Sequence, residues 1–122
     1  LMPGHVYFDF GDTFRTVVNT APESDPQAVS GFREDYAVAF IKGLAENASA
    51  FSPIEWKSFA LGAVYMPYIH GIRALTDYLQ GNIYYKVSYP NENLDRAWSL
   101  LSFALLAHQK QHFIHHCIQN NT

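Results

Sequence analysis

The sequence has one cysteine in 122 residues, so no internal disulfide forms and a disulfide-stapled secreted module is excluded. It has no excess of basic charge. Eight Lys and Arg against eleven Asp and Glu leave a net charge of −3, a poor starting point for holding a polyanion, so nucleic acid is not expected as a partner. It has no long apolar run. The longest uncharged apolar run, about Phe59 to Ile69, falls short of the roughly 20 residues a bilayer-spanning helix needs, so no membrane is expected either. A basic segment followed by an apolar one is missing from the start, so no signal peptide is visible. Together these absences point to the cytoplasm. The opening Leu1-Met2-Pro3-Gly4-His5 does not read as a natural beginning, because Met2 stands second, and suggests a piece of a longer protein. There is no internal repeat, Gly-rich phosphate loop, G-x-S-x-G or H-E-x-x-H. The chain by itself holds no complete catalytic set.

What is present is a core-forming composition, 48% hydrophobic and 16% aromatic, in one domain's length. Four segments carry helical periodicity, which predicts an all-α fold. The first runs from about Tyr7 to Asn19, with Tyr7, Phe10, Phe14 and Val17 on one face. Two prolines, Pro22 and Pro26, mark the loop after it. The second helix spans about Phe32 to Ala48, with Tyr36, Phe40, Ile41 and Leu44 as its stripe and Glu34 and Asp35 in its early turns. Ser52-Pro53, with Glu55 following, opens a long third helix to about Leu79. Its middle is apolar all round, which predicts a buried central helix, kinked at Pro67. Gln80-Gly81-Asn82 stops it. Ile83 to Tyr89 is rich in β-formers but stands alone, so it reads as an extended or hairpin-like excursion. The last helix is expected from about Leu94 to Ile118, burying Leu94, Trp98, Leu101, Leu105 and His108.

Three constellations carry possible chemistry. Asp9 and Asp12 lie three apart on one helical face, with Arg15 three further on. Two such carboxylates suit a metal or sugar hydroxyls; the plain alternative is an acidic first turn with an Asp12–Arg15 ion pair. Gly11 between them costs about 1 kcal/mol in a helix, so a close approach of another backbone or a ligand is the expected reason for it. Arg73 and Asp77 are four apart, which reads plainly as an internal salt bridge. Yet a guanidinium fork also holds paired sugar hydroxyls, and Tyr84, Tyr85 and Tyr89 offer rings to line such a ligand. His108, His112 and His116 repeat every four residues, a spacing that suits zinc or nickel. No Asp or Glu follows Asp95 to support them, and histidines also favour a helix C-terminus, so a metal is not expected there. Cys117 has no visible base partner and reads as a small hydrophobe.

Taken together, Leu1-Met2-Pro3-Gly4-His5-Val6-Tyr7-Phe8-Asp9-Phe10-Gly11-Asp12-Thr13-Phe14-Arg15, then Arg73-Ala74-Leu75-Thr76-Asp77-Tyr78-Leu79-Gln80-Gly81 and Tyr84, resemble the C-terminal part of the N-acetylhexosamine 1-kinase group. That group belongs to the aminoglycoside phosphotransferase and choline kinase superfamily, with a protein-kinase-like fold. The resemblance covers essentially the whole chain and implies the helical half of the larger kinase lobe. It implies a parent that moves the γ-phosphoryl of ATP, with magnesium, to the anomeric hydroxyl of GlcNAc or GalNAc. In that group the metal-binding Asp-Leu-Asp, the catalytic-loop Asp and the nucleotide lobe lie ahead of the Met-Pro-Gly segment. This chain alone is therefore expected to be inactive and to hold neither ATP nor metal. The same resemblance makes Asp9 a support for the catalytic loop, and Asp12, Arg73 and Tyr84 contacts of the amino sugar. The Asp9-Phe10-Gly11 triplet is not the magnesium-binding one of protein kinases. Some members of the group are named mucin desulfatases, but Cys117 is followed by Ile118 and Gln119, not by the proline and arginine that sulfatase chemistry needs. The implied partner is the N-terminal part of the same protein. A non-catalytic helical interaction domain is the alternative; if the N-terminal part packs on this one, the chain alone exposes apolar surface and is expected to self-associate.

Overall fold

The computed structural model describes residues 6–22, 24–46 and 50–121. They form five helices: α1 Val6–Val18, α2 Glu34–Ala45, α3 Pro53–Leu79, α4 Glu92–Gln109 and α5 Gln111–Asn121. Apart from one isolated antiparallel bridge, Asn19 to Phe32, no strand occurs among the described residues, so the class is all-α. The Met-Pro-Gly segment and the expected end of the second helix at Ala48 lie outside the described residues.

α3 is the axis, flanked by α1 and α4, with α2 and α5 packed on each other and closing one end. It starts where the sequence predicts, because Ser52 and Glu55 form a reciprocal cap. The Glu55 N–H donates to Ser52 Oγ at 3.2 Å, and the Ser52 N–H donates to Glu55 Oε1 at 2.9 Å. It runs on through the fully buried Pro67. α1 crosses α3 at two glycines. A Cβ on Gly11 would sit 2.1 Å from the Gly62 carbonyl oxygen, and one on Gly62 would sit 2.1 Å from the Tyr7 carbonyl oxygen. The close approach expected at Gly11 is thus to backbone. It brings Phe10 into a parallel stack on Phe59, ring centres 4.6 Å apart, within a core that includes Phe14, Trp56, Phe103 and Ile114.

Several expectations need correction. α2 starts two residues later than predicted. Phe32 is held in the bridge, and Arg33 is extended, its N–H donating to the Val18 carbonyl at 3.0 Å. The inward faces are also rotated. In α1, Val18 is buried in place of Val17. In α2, Ala37 and Ile41 are buried while Tyr36 is exposed beneath the Arg33 guanidinium, 4.1 Å from the ring centre. The middle of α3 is not covered all round, since Leu61, Tyr65 and Tyr68 are exposed. α4 turns Ala97, Phe103, Ala104 and Ala107 inward and leaves Trp98 77% exposed, with Leu94, Leu105 and His108 also outside. Alanines on α4 let it lie close to α3, whose Gly71 has Leu100 and Leu101 directly against it. The expected last helix is two helices, broken at Lys110, whose ammonium pairs with Glu34. Beside it the Gln111 amide donates to the Ala60 carbonyl at 2.9 Å, tying the start of α5 to α3.

The glycine crossing predicts opposite signs for one substitution type. Gly62→Ala forces backbone apart and should lower stability by about 3 kcal/mol. Gly43→Ala, at a helical position with nothing within 4 Å, should raise it by about 0.5–1 kcal/mol. Urea denaturation of both variants checks this, and equal effects would overturn the crossing.

Candidate functional site

The end of α3 positions the site. Gly81 and Asn82 both take positive φ, +93° and +61°, which turns the chain sharply back over the helix it has just left. The returning loop is caught by Asp77, which is 4% exposed. Asp77 Oδ1 accepts the Tyr84 N–H at 2.7 Å, and Oδ2 accepts the Tyr85 N–H at 3.0 Å and the Asn93 amide at 2.9 Å. Asn93, itself fully buried, donates from the same amide to Asn82 Oδ1 at 3.1 Å. The far end of the loop is held by Glu92, which accepts both the N–H and the hydroxyl of Ser88 at 3.0 and 2.8 Å and pairs with Arg96 at 3.1 Å. An irregular segment of the chain is thereby fixed by two carboxylates instead of by strand pairing.

Both carboxyls are tuned by this work. Burial pushes the Asp77 carboxyl up, but the N–H groups of Tyr84, Tyr85 and Ile83 with the Asn93 amide outweigh it and hold it below its ordinary 3.8. The Ser88 N–H and hydroxyl hold Glu92 below its ordinary 4.5 against burial, with help from Arg96. The expected Arg73–Asp77 salt bridge is therefore absent, because Asp77 is fully engaged by backbone and Asn93. Arg73 is exposed and makes no hydrogen bond or ion pair among the described residues.

This arrangement puts Arg73 and Tyr84, eleven positions apart in sequence, on the wall of one hollow of about 500 Å3. Thr76, Asp77, Gln80, Ile72 and Tyr85 complete it. The volume lies within the range of small-ligand sites, about 300–1,000 Å3. The lining offers one guanidinium, a hydroxyl, an amide and two phenol rings set edge to face, centres 5.1 Å apart. Such a wall can grip a neutral, hydroxyl-rich molecule by donors at its edge and rings at its faces. Thr76 and Gln80 were not singled out from the sequence. Their only signal is that they lie three and seven positions after Arg73, on its helical face.

Asp12 stands elsewhere. Its Oδ1 accepts Arg15 Nε at 2.9 Å and pairs with Arg15 Nη2 at 2.8 Å, so the plain ion-pair reading of that spacing holds. His70 Nε2, which the sequence did not flag, lies 3.2 Å from the same oxygen but out of line for a hydrogen bond. Asp12 does not line the Arg73 hollow. Asp9 is exposed in the first turn of α1. Tyr89 is drawn aside by a hydrogen bond to Asp95 at 2.8 Å. In the histidine tail the break at Lys110 puts His108 on α4 and leaves His112 and His116 on α5, so the three do not share one helix. Among the described residues no group of three His, Cys, Asp or Glu is placed to hold a metal ion. Cys117 is buried, and burial with Glu34 nearby pushes its thiol up, away from a reactive thiolate. No described helix is long and apolar enough to cross a membrane. No protein-family model matches the sequence.

The carboxylate latches predict an acid-sensitive loop. A carboxyl held below its ordinary value contributes stability that is complete above that value and is lost as pH falls through the lowered one. Stability should therefore decline as pH drops below about 4.5, the ordinary Glu92 value, and further below 3.8. Asp77→Asn should flatten the lower part of that decline and open the 80–91 loop to proteolysis at neutral pH. Thermal unfolding against pH and limited proteolysis check both; a pH profile unchanged in the variant would remove Asp77 from its role.

Proposed function

We propose that this chain is the sugar-gripping helical part of an ATP-dependent kinase for an N-acetylhexosamine, GlcNAc or GalNAc, working in the cytoplasm. The observation that carries the reading is the single hollow in which Arg73 and Tyr84 stand side by side, the two positions at which the resembled kinases contact the amino sugar. Arg73 supplies directed donors to ring hydroxyls or the acetamido oxygen, and Tyr84 and Tyr85 supply ring faces. Phosphoryl transfer depends chiefly on positioning and charge stabilisation, so a clamp on the acceptor is a large share of the catalyst. Asp12, outside that hollow and paired with Arg15, is assigned to the sugar by the resemblance alone. Asp9, exposed on α1, braces the catalytic loop by accepting its backbone N–H groups. ATP supplies the phosphoryl group and magnesium offsets its charge. By the resemblance, both belong to other segments of the parent protein. On this reading the 122-residue chain alone has no kinase activity.

The test is Arg73→Ala in the parent protein. Charge-assisted hydrogen bonds are worth about 1.5–3 kcal/mol, so kcat/KM for the hexosamine should fall roughly 10- to 100-fold, with KM for ATP unchanged. An unchanged rate of sugar phosphorylation would dismiss the assigned hollow.

A second reading, a non-catalytic helical interaction domain, is favoured by one observation. Leu61, Tyr65, Tyr68 and Ile72 form an exposed row along α3, in a stretch without Asp, Glu, Lys or Arg between Lys57 and Arg73. In the kinase reading this row meets the rest of the protein, so the chain alone should self-associate. Light scattering decides: a clean monomer of 13.8 kDa at high concentration would favour the self-sufficient domain.

A further inference from the structure

We propose that a second hollow, between α1 and the loop that follows it, α3, α4 and the 80–91 loop, binds the phosphate group of a small phosphomonoester. It measures about 490 Å3 and shares Tyr85 with the Arg73 hollow. Three of the chain's eight Lys and Arg residues line it, Arg15, Lys86 and Arg96, joined by His70, against one acidic residue, Asp25, among the described residues. In a chain of net charge −3 that is a concentration of cations on one wall.

The two arginines are held ready. Arg15, 13% exposed at its side chain, is fixed by Asp12. Arg96, 33% exposed, is fixed by Glu92 at 3.1 Å and Asn93 at 2.9 Å, with the Tyr85 ring 5.9 Å from its guanidinium carbon. Asp12 and Glu92 reduce the net field but hold the forks in place, so a ligand need not order them on binding. Lys86 is exposed and makes no hydrogen bond or ion pair among the described residues. His70 lines the same wall, with its Nε2 buried 3.2 Å from Asp12 Oδ1. Asp25 is turned back on its own loop, accepting the Gln27 N–H at 3.1 Å. A planar carboxylate is served by one guanidinium fork. Cations approaching from two helices and a loop instead suit an acceptor with three oxygens and a tetrahedral centre, which is a phosphate.

The inference stands apart from the kinase reading, because it concerns other side chains and binding alone. Calorimetric titration of the chain at low salt uses inorganic phosphate and glucose 6-phosphate as probes. Both should bind saturably. Lys86→Glu should weaken both at least tenfold with the circular dichroism spectrum unchanged, since Lys86 is exposed and makes no hydrogen bond or ion pair among the described residues. Lys57→Glu, the same charge change at an exposed lysine that lines neither hollow, should leave both within twofold. Equal affinities would identify the phosphate group alone as the ligand, and tighter glucose 6-phosphate would add contacts to its body; either supports the site. The proposal is overturned if neither probe saturates, if Lys86→Glu binds like the parent chain, or if Lys57→Glu weakens binding as much as Lys86→Glu does.

Discussion

The capture of a returning loop by one buried carboxylate governs what the rest of this surface can do. Asp77 sits in the last turn of α3, where the chain is about to leave the helix, and its two oxygens accept the N–H groups of Tyr84 and Tyr85. Without that anchor the segment after Gly81 has no regular partner, because no strand lies alongside it among the described residues. With it, Tyr84 and Tyr85 are carried back over α3. Tyr85 stands between two hollows, and Glu92 and Asn93 tie the same loop to the start of α4. One hydrogen-bonded carboxylate thus sets the relation between α3, the loop and α4, which is the relation that any ligand in either hollow would meet.

The helix packing follows from small residues more than from large ones. Gly11 and Gly62 let α1 and α3 approach until their backbones touch, and that distance allows Phe10 and Phe59 to stack. On the other side, Ala97, Ala104 and Ala107 bring α4 down on α3. The consequence is a surface richer in large side chains than periodicity suggests. Trp98, Leu105, Leu61 and Tyr68 face outward because the inward lines are occupied by residues that permit closer helices.

The helix class, the capped start of α3 and its stop at Gly81-Asn82 were all legible in the sequence, because each rests on local chemistry: a Ser-Pro-x-Glu cap, a positive-φ turn, an apolar period. What was not legible depends on tertiary choices. The inward face of α4 looked like Leu94, Trp98 and Leu105, since hydrophobicity ranks them above alanine; close packing against Gly71 reverses the choice. The break at Lys110 has no glycine or proline to announce it. It is made by two long-range contacts, Lys110 with Glu34 and Gln111 with the Ala60 carbonyl. For the candidate site, the pairing of Arg73 with Tyr84 was visible as a resemblance, while the placement of Asp12 outside that hollow and the approach of His70 to it were not.

Asp12–Arg15 and Arg73–Asp77 look alike in sequence, each an oppositely charged pair one helical turn apart, and the structure treats them oppositely. Asp12 lies mid-helix, where every nearby N–H is already spent inside α1, so its best donor is the arginine a turn away. Asp77 lies at a helix end, where the departing chain delivers unpaired N–H groups within reach. Two such N–H bonds and an amide, made in a buried setting with little side-chain ordering, outcompete an exposed ion pair that contributes about 0.2–0.5 kcal/mol. The arginine is thereby left to face the hollow. The same carboxylate that shapes the site's wall is the one that, in mid-helix, would have neutralised its cation. Position relative to a helix terminus, and not the charge pattern, decides whether this guanidinium is a structural group or one available to a ligand.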